Sequence, residues 1–188
     1  MGGRAGGGAG MGSRSGGLQR SLATAESRIR NIDDHEEGYI MDEKGNIIDF
    51  QVGVAGSVAM KKPFSDRIFT HNHPVHGHPN PFGQSFSGPD ISIAMNYNAK
   101  EFRAVTKRYT FSFKRPENGW GTKSEIARAE KVYKRIYNST NRKDKKYLES
   151  YSGDKASARR RMGYTFAHRV NKEFAKQMGF SYTKMKIK

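Results

Sequence analysis

The chain has no cysteine, a single tryptophan and six prolines in 188 residues. Without cysteine there is no disulfide scaffold, thiolate-ligated zinc finger, iron–sulfur site or cysteine nucleophile. That absence fits a reducing compartment, and the expected location is cytoplasmic. Apolar residues are also scarce, at 35%, with a mean hydropathy of −0.85. No apolar run approaches the roughly 18–20 residues that cross a bilayer. The N-terminus carries no apolar h-region of a secretory signal. A membrane partner is therefore not expected.

Negative charge is the other deficit. Asp and Glu total 18 against 34 Lys and Arg, for a formal charge of +16. The excess is uneven, because residues 122–188 hold 19 basic and 6 acidic side chains. Such a block either attracts polyanions or solubilises its surroundings, and no nucleic-acid reader motif accompanies it. Non-specific nucleic-acid binding through 122–188 is the partner expected of it. Arg159-Arg160-Arg161 reads as a solvated face.

Residues 1–17 contain nine of the 21 glycines and read as a flexible linker. Leu18, Leu22, Ala25 and Ile29 follow at helical spacing. Residues 39–42 and 47–50 flank Lys44-Gly45-Asn46 as a hairpin. Ile68-Phe69-Thr70 is a strand, and the Pro- and Gly-rich stretch Val75–Phe86 a loop. Ser87-Gly88-Pro89-Asp90 opens a helix to about Asn98. Residues 102–106 and 109–113 are strands, with Tyr109, Phe111 and Phe113 on one core face. Helices are predicted over 123–138, 142–151 and 155–178, the last with a buried stripe of Phe166, Val170, Phe174 and Met178 and with His168 exposed. The pattern predicts an α+β domain over 18–120 and a basic helical extension, 121–188, packed on it.

Four of the six histidines lie between His71 and His78. His71 and His73, two apart at a strand end, share a face and aim at one point, as metal ligands must. Asp90, in the first turn of the next helix, is the best third ligand. Ser87 and Asp90 also have the spacing of a helix cap, and the two roles are compatible. A solvated His/Pro/Gly loop that binds metal weakly is the alternative. His76 and His78 are competing ligands or flank the substrate.

The order His71-Asn72-His73-Pro74 followed by Ser87-Gly88-Pro89-Asp90 resembles the signature of the JAB/JAMM (MPN-type) metallohydrolases, the RadC-like branch in particular. The stretches after it, Glu101-Phe102-Arg103-Ala104-Val105 and Tyr109 to Pro116, look like JAB-like domains of phage head-morphogenesis proteins. The likeness covers about Asp33 to Trp120. It implies a curved mixed sheet flanked by helices, and one Zn²⁺ held by His71, His73 and Asp90. It further implies a metal-activated water, Ser87 at that water or the oxyanion, and an early-strand glutamate as general base. Glu36 is the first choice for the base, with Glu37 and Asp34 as alternates, because alternation puts only one of the paired glutamates on the inner face. Three protein ligands leave a position open, which marks catalytic rather than structural zinc. The implied activity is hydrolysis of amide, peptide or isopeptide bonds in a peptide or protein substrate, in a bacterial host cell or virion. A JAB-like scaffold without catalysis, in phage assembly or DNA handling, is the competing reading. The twelve-residue spacing Val75–Phe86 exceeds the usual one, and an insertion in a loop costs little closure entropy.

Overall fold

A computed structural model describes residues 12–74 and 85–187, with side chains from 16 onward. Most of the expected loop Val75–Phe86, including His76 and His78, and residues 1–11 of the expected linker lie outside the described residues. The elements run α1 (Gly12–Ile29), β1 (Glu37–Met41), β2 (Ile47–Val52), β3 (Ile68–Asn72), α2 (Gly88–Asn96), β4 (Glu101–Val105), β5 (Tyr109–Lys114), α3 (Lys123–Ser150), α4 (Lys155–Met178) and β6 (Ser181–Lys186). They form one mixed sheet in the order β2-β1-β3-β4-β5-β6. Only β3 and β4 pair in parallel, and α2 is the crossover between them. A ligand site is therefore expected at the carboxyl end of β3, where the chain leaves the sheet for the helix.

Strand alternation sorts the side chains onto two faces. On one, α1 lays Leu22, Ala25 and Ile29 against Tyr39, Met41, Ile68 and Val105. On the other, Ile40, Phe69, Phe102, Phe111 and Phe113 meet Ile91 and Met95 of α2, Ile126 and Ile136 of α3, and Val170 and Phe174 of α4. Phe111 and Phe113 are fully buried on one face, as alternation predicted. Val170 and Phe174 form the buried centre of the α4 stripe, while Phe166 and Met178 pack partly buried against it. Trp120 stacks on Phe113 at 5.0 Å and donates its indole N–H to the Ala99 carbonyl, which places it in the core.

Several expectations need correction. α1 begins at Gly12, inside the stretch read as linker. α3 runs unbroken through the weak helix formers Asn138-Ser139-Thr140, in place of the two expected helices, 123–138 and 142–151. The pairs Tyr133–Phe174, Tyr137–Phe166 and Asp144–Arg169 show the reason. They zip α3 to an antiparallel α4 on both sides of the weak stretch, and packing overrides propensity. The C-terminal segment is not only helical, because β6 pairs with β5 along Tyr109–Lys114 and completes the sheet. His168 is half-buried rather than exposed, and its Nδ1 lies 2.8 Å from the Tyr182 hydroxyl on β6. No helix among the described residues is long and apolar enough to cross a membrane.

Candidate metal centre

β3 delivers the two histidines. Ile68, Thr70 and Asn72 face α1, so Phe69, His71 and His73 face α2. Gly38 lies opposite His71 on β1. A Cβ at Gly38 would stand 2.7 Å from the Phe69 ring, and Phe69 stacks on His71 at 5.0 Å between centroids. The glycine thus leaves room for the ring that supports the first imidazole. Ala104 fills the β4 position beside His71, another small residue at a crowded point.

α2 delivers the carboxylate. Ser87 caps the helix, and its side chain accepts from the Asp90 N–H while the Asp90 side chain accepts from the Ser87 N–H. Asp90 Oδ2 takes the Ser87 N–H at 2.7 Å and the Ser87 hydroxyl at 2.8 Å. The cap thereby fixes the rotamer of Asp90. Cap and site are the same hydrogen bonds.

The donor atoms converge. His71 Nε2 and His73 Nε2 are 2.9 Å apart. Asp90 Oδ1 lies 3.6 Å from His71 Nε2, and Oδ2 lies 3.7 Å from His73 Nε2. With one donor atom taken from each residue, all three lie within 4.8 Å of one another, against about 3.3 Å between ligands that stand about 2.0–2.1 Å from a tetrahedral ion. His71, His73 and Asp90 form a group able to hold a metal ion. Burial, and next His73, lower the His71 pKa to about 4, so its imidazole is neutral and ready to ligate at neutral pH. Burial alone would raise the Asp90 pKa, but His71, His73 and the Ser87 donors together hold it below the usual carboxylate range.

Glu36 immediately precedes β1 and lines the same cavity of about 230 Å³ as His71, His73, Ser87 and Asp90. Its backbone is clamped on both sides, with its N–H donated to the Val54 carbonyl and its carbonyl accepting from Gly53. Gly53 is indispensable to that turn, since a Cβ there would meet the Ser57 carbonyl at 2.1 Å. Burial, reinforced by the Asp90 charge, pushes the Glu36 pKa up to about 8. Glu37 points to the opposite face, with its carboxylate 3.8 Å from Arg28 and 3.5 Å from His35. Asp34 is exposed and pairs with His35. Of the three acidic candidates, only Glu36 lines the cavity.

Two asparagines that sequence reasoning passed over hold this arrangement. Asn72 sits between the histidines and points to the other face. Its Oδ1 accepts from the Glu37 N–H at 2.6 Å, and its Nδ2 donates to the Ile32 and His35 carbonyls. The middle residue of His-Asn-His thus ties the Glu36 segment to the strand that carries the ligands. Asn171, fully buried on α4, donates to the Phe86 carbonyl and the Ser85 hydroxyl, both at 2.9 Å, and fixes the entry to Ser87. Position within the motif could have signalled Asn72; nothing local signals Asn171.

No protein-family model, curated protein or solved structure matches the chain, and the site is read from its own geometry.

Proposed function

We propose that the chain is a zinc-dependent hydrolase of amide, peptide or isopeptide bonds, of JAB/JAMM type, acting in a host cytoplasm or on a virion. The observation that carries the reading is a buried carboxylate, Glu36, lining the same cavity as three converging ligands. The donor set suits the ion. Two imidazoles and one carboxylate satisfy zinc's preferences and leave a fourth position open. Bound there, zinc would supply a Lewis acid that lowers the pKa of water towards about 7.

The residues divide the remaining work. Glu36 takes a proton from the attacking water and returns it to the departing amine, the work of a positioned carboxylate. Ser87, exposed at the cavity rim, keeps its hydroxyl on Asp90 until a developing oxyanion competes for it. Asn72 and Asn171 hold the base and the helix cap in place.

A second reading, a non-catalytic scaffold that handles DNA, is favoured by one observation. Arg128, Lys131, Arg142, Lys143, Arg160 and Arg161 are all exposed on α3 and α4.

Elemental analysis decides the metal. One zinc per chain is expected. His71→Ala with His73→Ala should abolish it together with chelator-sensitive peptide hydrolysis, while His76→Ala with His78→Ala should leave both. Loss of zinc only in the second pair would move the site to the loop histidines.

A further inference from the structure

The metal cavity does not end at α2. Ser87 and Pro89 line it and also line a neighbouring cavity of about 350 Å³. That second cavity has Tyr133, Tyr137, Phe166 and Gly163 on its walls. Tyr137, Phe166 and Gly163 in turn open onto a groove of about 650 Å³ between α3 and α4. Among the described residues, three hollows adjoin through shared walls and form a trough from the ligands over the start of α2 and along the helical hairpin. On α3 it spans Tyr133 to Glu149, about 24 Å at the helical rise of roughly 1.5 Å per residue. An extended chain advances about 3.3 Å per residue, so the trough accommodates about seven residues.

Its chemistry changes along its length. Near the site the walls are aromatic, with Tyr137 packed edge-on to Phe166 at 4.9 Å and 46% exposed. At the far end Lys145, Lys155 and Arg159 outnumber Asp144 and Glu149. Both Asp144 oxygens are already taken by Arg169, at 2.8 and 2.6 Å. Glu149 lies 4.0 Å from Lys145. The far end is therefore net cationic.

We propose that this trough binds the substrate as an extended polypeptide. A large apolar side chain seats among Tyr133, Tyr137 and Phe166 beside the scissile bond, and an acidic residue four to five positions further meets Lys155 and Arg159. The proposal rests on the hydrolase reading for the direction of the chain. It assigns specificity to helices outside the segment that carries the motif. Continuity with the metal cavity argues for a substrate rather than an unrelated partner, because a chain in the trough places its backbone across Ser87 and Glu36.

The test separates binding from cleavage. Zinc-loaded, full-length Glu36→Gln protein is presented with a degenerate library of acetylated heptapeptides, and captured peptides are sequenced. Enrichment of Phe, Tyr, Leu or Met at one position, and of Asp or Glu four to five positions away, is expected. Gly163→Trp, which fills the trough at a half-buried helix position, should weaken capture roughly tenfold or more, as loss of a central anchor does. Arg159→Glu should erase only the acidic preference. Circular dichroism and zinc content report whether either variant is misfolded, and Tyr137→Ala is the substitute if Gly163→Trp is. Absence of enrichment, or enrichment indifferent to these variants, overturns the proposal. So does capture of a single-stranded oligonucleotide in place of peptides, if Gly163→Trp blocks it. Peptides captured but never cut by protein with Glu36 intact would refute the hydrolase reading and leave the trough standing. Peptides cut without regard to Gly163→Trp would do the reverse.

Discussion

Both faces of the sheet bury charge, but only one neutralises it with its own side chains. Beneath α1, Arg103 bonds Glu26 at 2.5 Å and Glu101 at 2.6 Å. Arg30 adds bonds to the Thr106 and Tyr109 carbonyls and to the Thr110 hydroxyl. Ser112 donates to Glu101 at 2.6 Å. Two carboxylates face two guanidinium groups, and the hydroxyls complete the circuit. Beneath α2, Glu36 and Asp90 face two imidazoles, and no Lys or Arg lines that cavity among the described residues. The first cluster is finished by the protein. The second lacks a protein counter-charge, which a metal cation could supply. Buried charge alone did not distinguish a site from a structural network; the absence of a protein counter-charge did.

The comparison is sharpened most by Glu36. Glu36→Gln should keep zinc and fold but lose about 10²–10⁴-fold in hydrolysis, the range for a positioned acid–base group. Glu37→Gln should retain activity, because that side chain lies on the α1 face. Steady-state kinetics on any peptide cut by the native chain measure both. A dead Glu37→Gln beside an active Glu36→Gln would transfer the role across the sheet.

On the finished face the expected loss is in stability. Arg103→Met strips Glu26 and Glu101 of their shared partner, and removing one member of a buried ion pair costs about 3–5 kcal/mol. Urea denaturation of the metal-free protein should show it. His71→Ala, tested in the same way, should cost less, because it removes one of two imidazoles from a cluster that lacks positive charge rather than closing on itself. Equal losses would mean that the two clusters are both structural.

The motif made one face readable and left the other hidden. His-x-His at a strand end and Ser-x-x-Asp at a helix start are local patterns, since strand alternation and helix capping act over two or three residues. The structure brings His71 and His73 at the end of β3 together with Ser87 and Asp90 at the start of α2. The α1 network has no such pattern. Glu26, Glu101 and Arg103 meet through sheet pairing and helix docking, and Arg103 is separated from Glu26 by 77 positions. β6 was missed because Ser181–Lys186 is an edge strand of largely exposed residues, with only Tyr182 and Lys184 turned inward. The unity of α3 escaped because its weak stretch is held from outside by α4.

A smaller effect concerns the far edge of the α2-side core. Burial, followed by the charges of Lys184 and Lys172, lowers the His168 pKa to about 4, against about 6.5 in an unfolded chain. The unfolded state therefore binds the proton more readily between these values. Stability is full above about pH 6.5 and falls as pH drops towards 4. His168 is half-exposed, so solvent screening leaves about 1 kcal/mol of this. His71 acts in the same sense, and Glu36, with its raised pKa, in the opposite one. The comparison is thus native chain against His168→Gln, which should flatten only part of the slope between pH 7 and pH 5. An unchanged slope would mean that the imidazole is hydrated in the folded state.

The smallest effect expected is on DNA. The basic surface of α3 and α4 belongs to neither buried cluster, and its contacts would be with phosphates, not bases. Deleting 122–188 is no test, because it would remove Ile126, Ile136, Val170 and Phe174 from the core and β6 from the sheet. Charge substitution leaves the packing intact, since Arg159, Arg160 and Arg161 are exposed. Short duplex DNA should bind with micromolar or weaker affinity. The logarithm of the binding constant should fall linearly with the logarithm of salt, by about 0.9 for each phosphate neutralised. Replacing all three arginines by Ala should lower that slope without altering zinc content. Zinc-loaded protein should also leave the DNA intact, because the proposed chemistry is directed at acyl carbon and not at phosphorus. A slope indifferent to the three arginines would return this surface to a solubilising role. Cleavage of the DNA that disappears in Glu36→Gln would join the two regions into one phosphodiesterase site and overturn the amide reading.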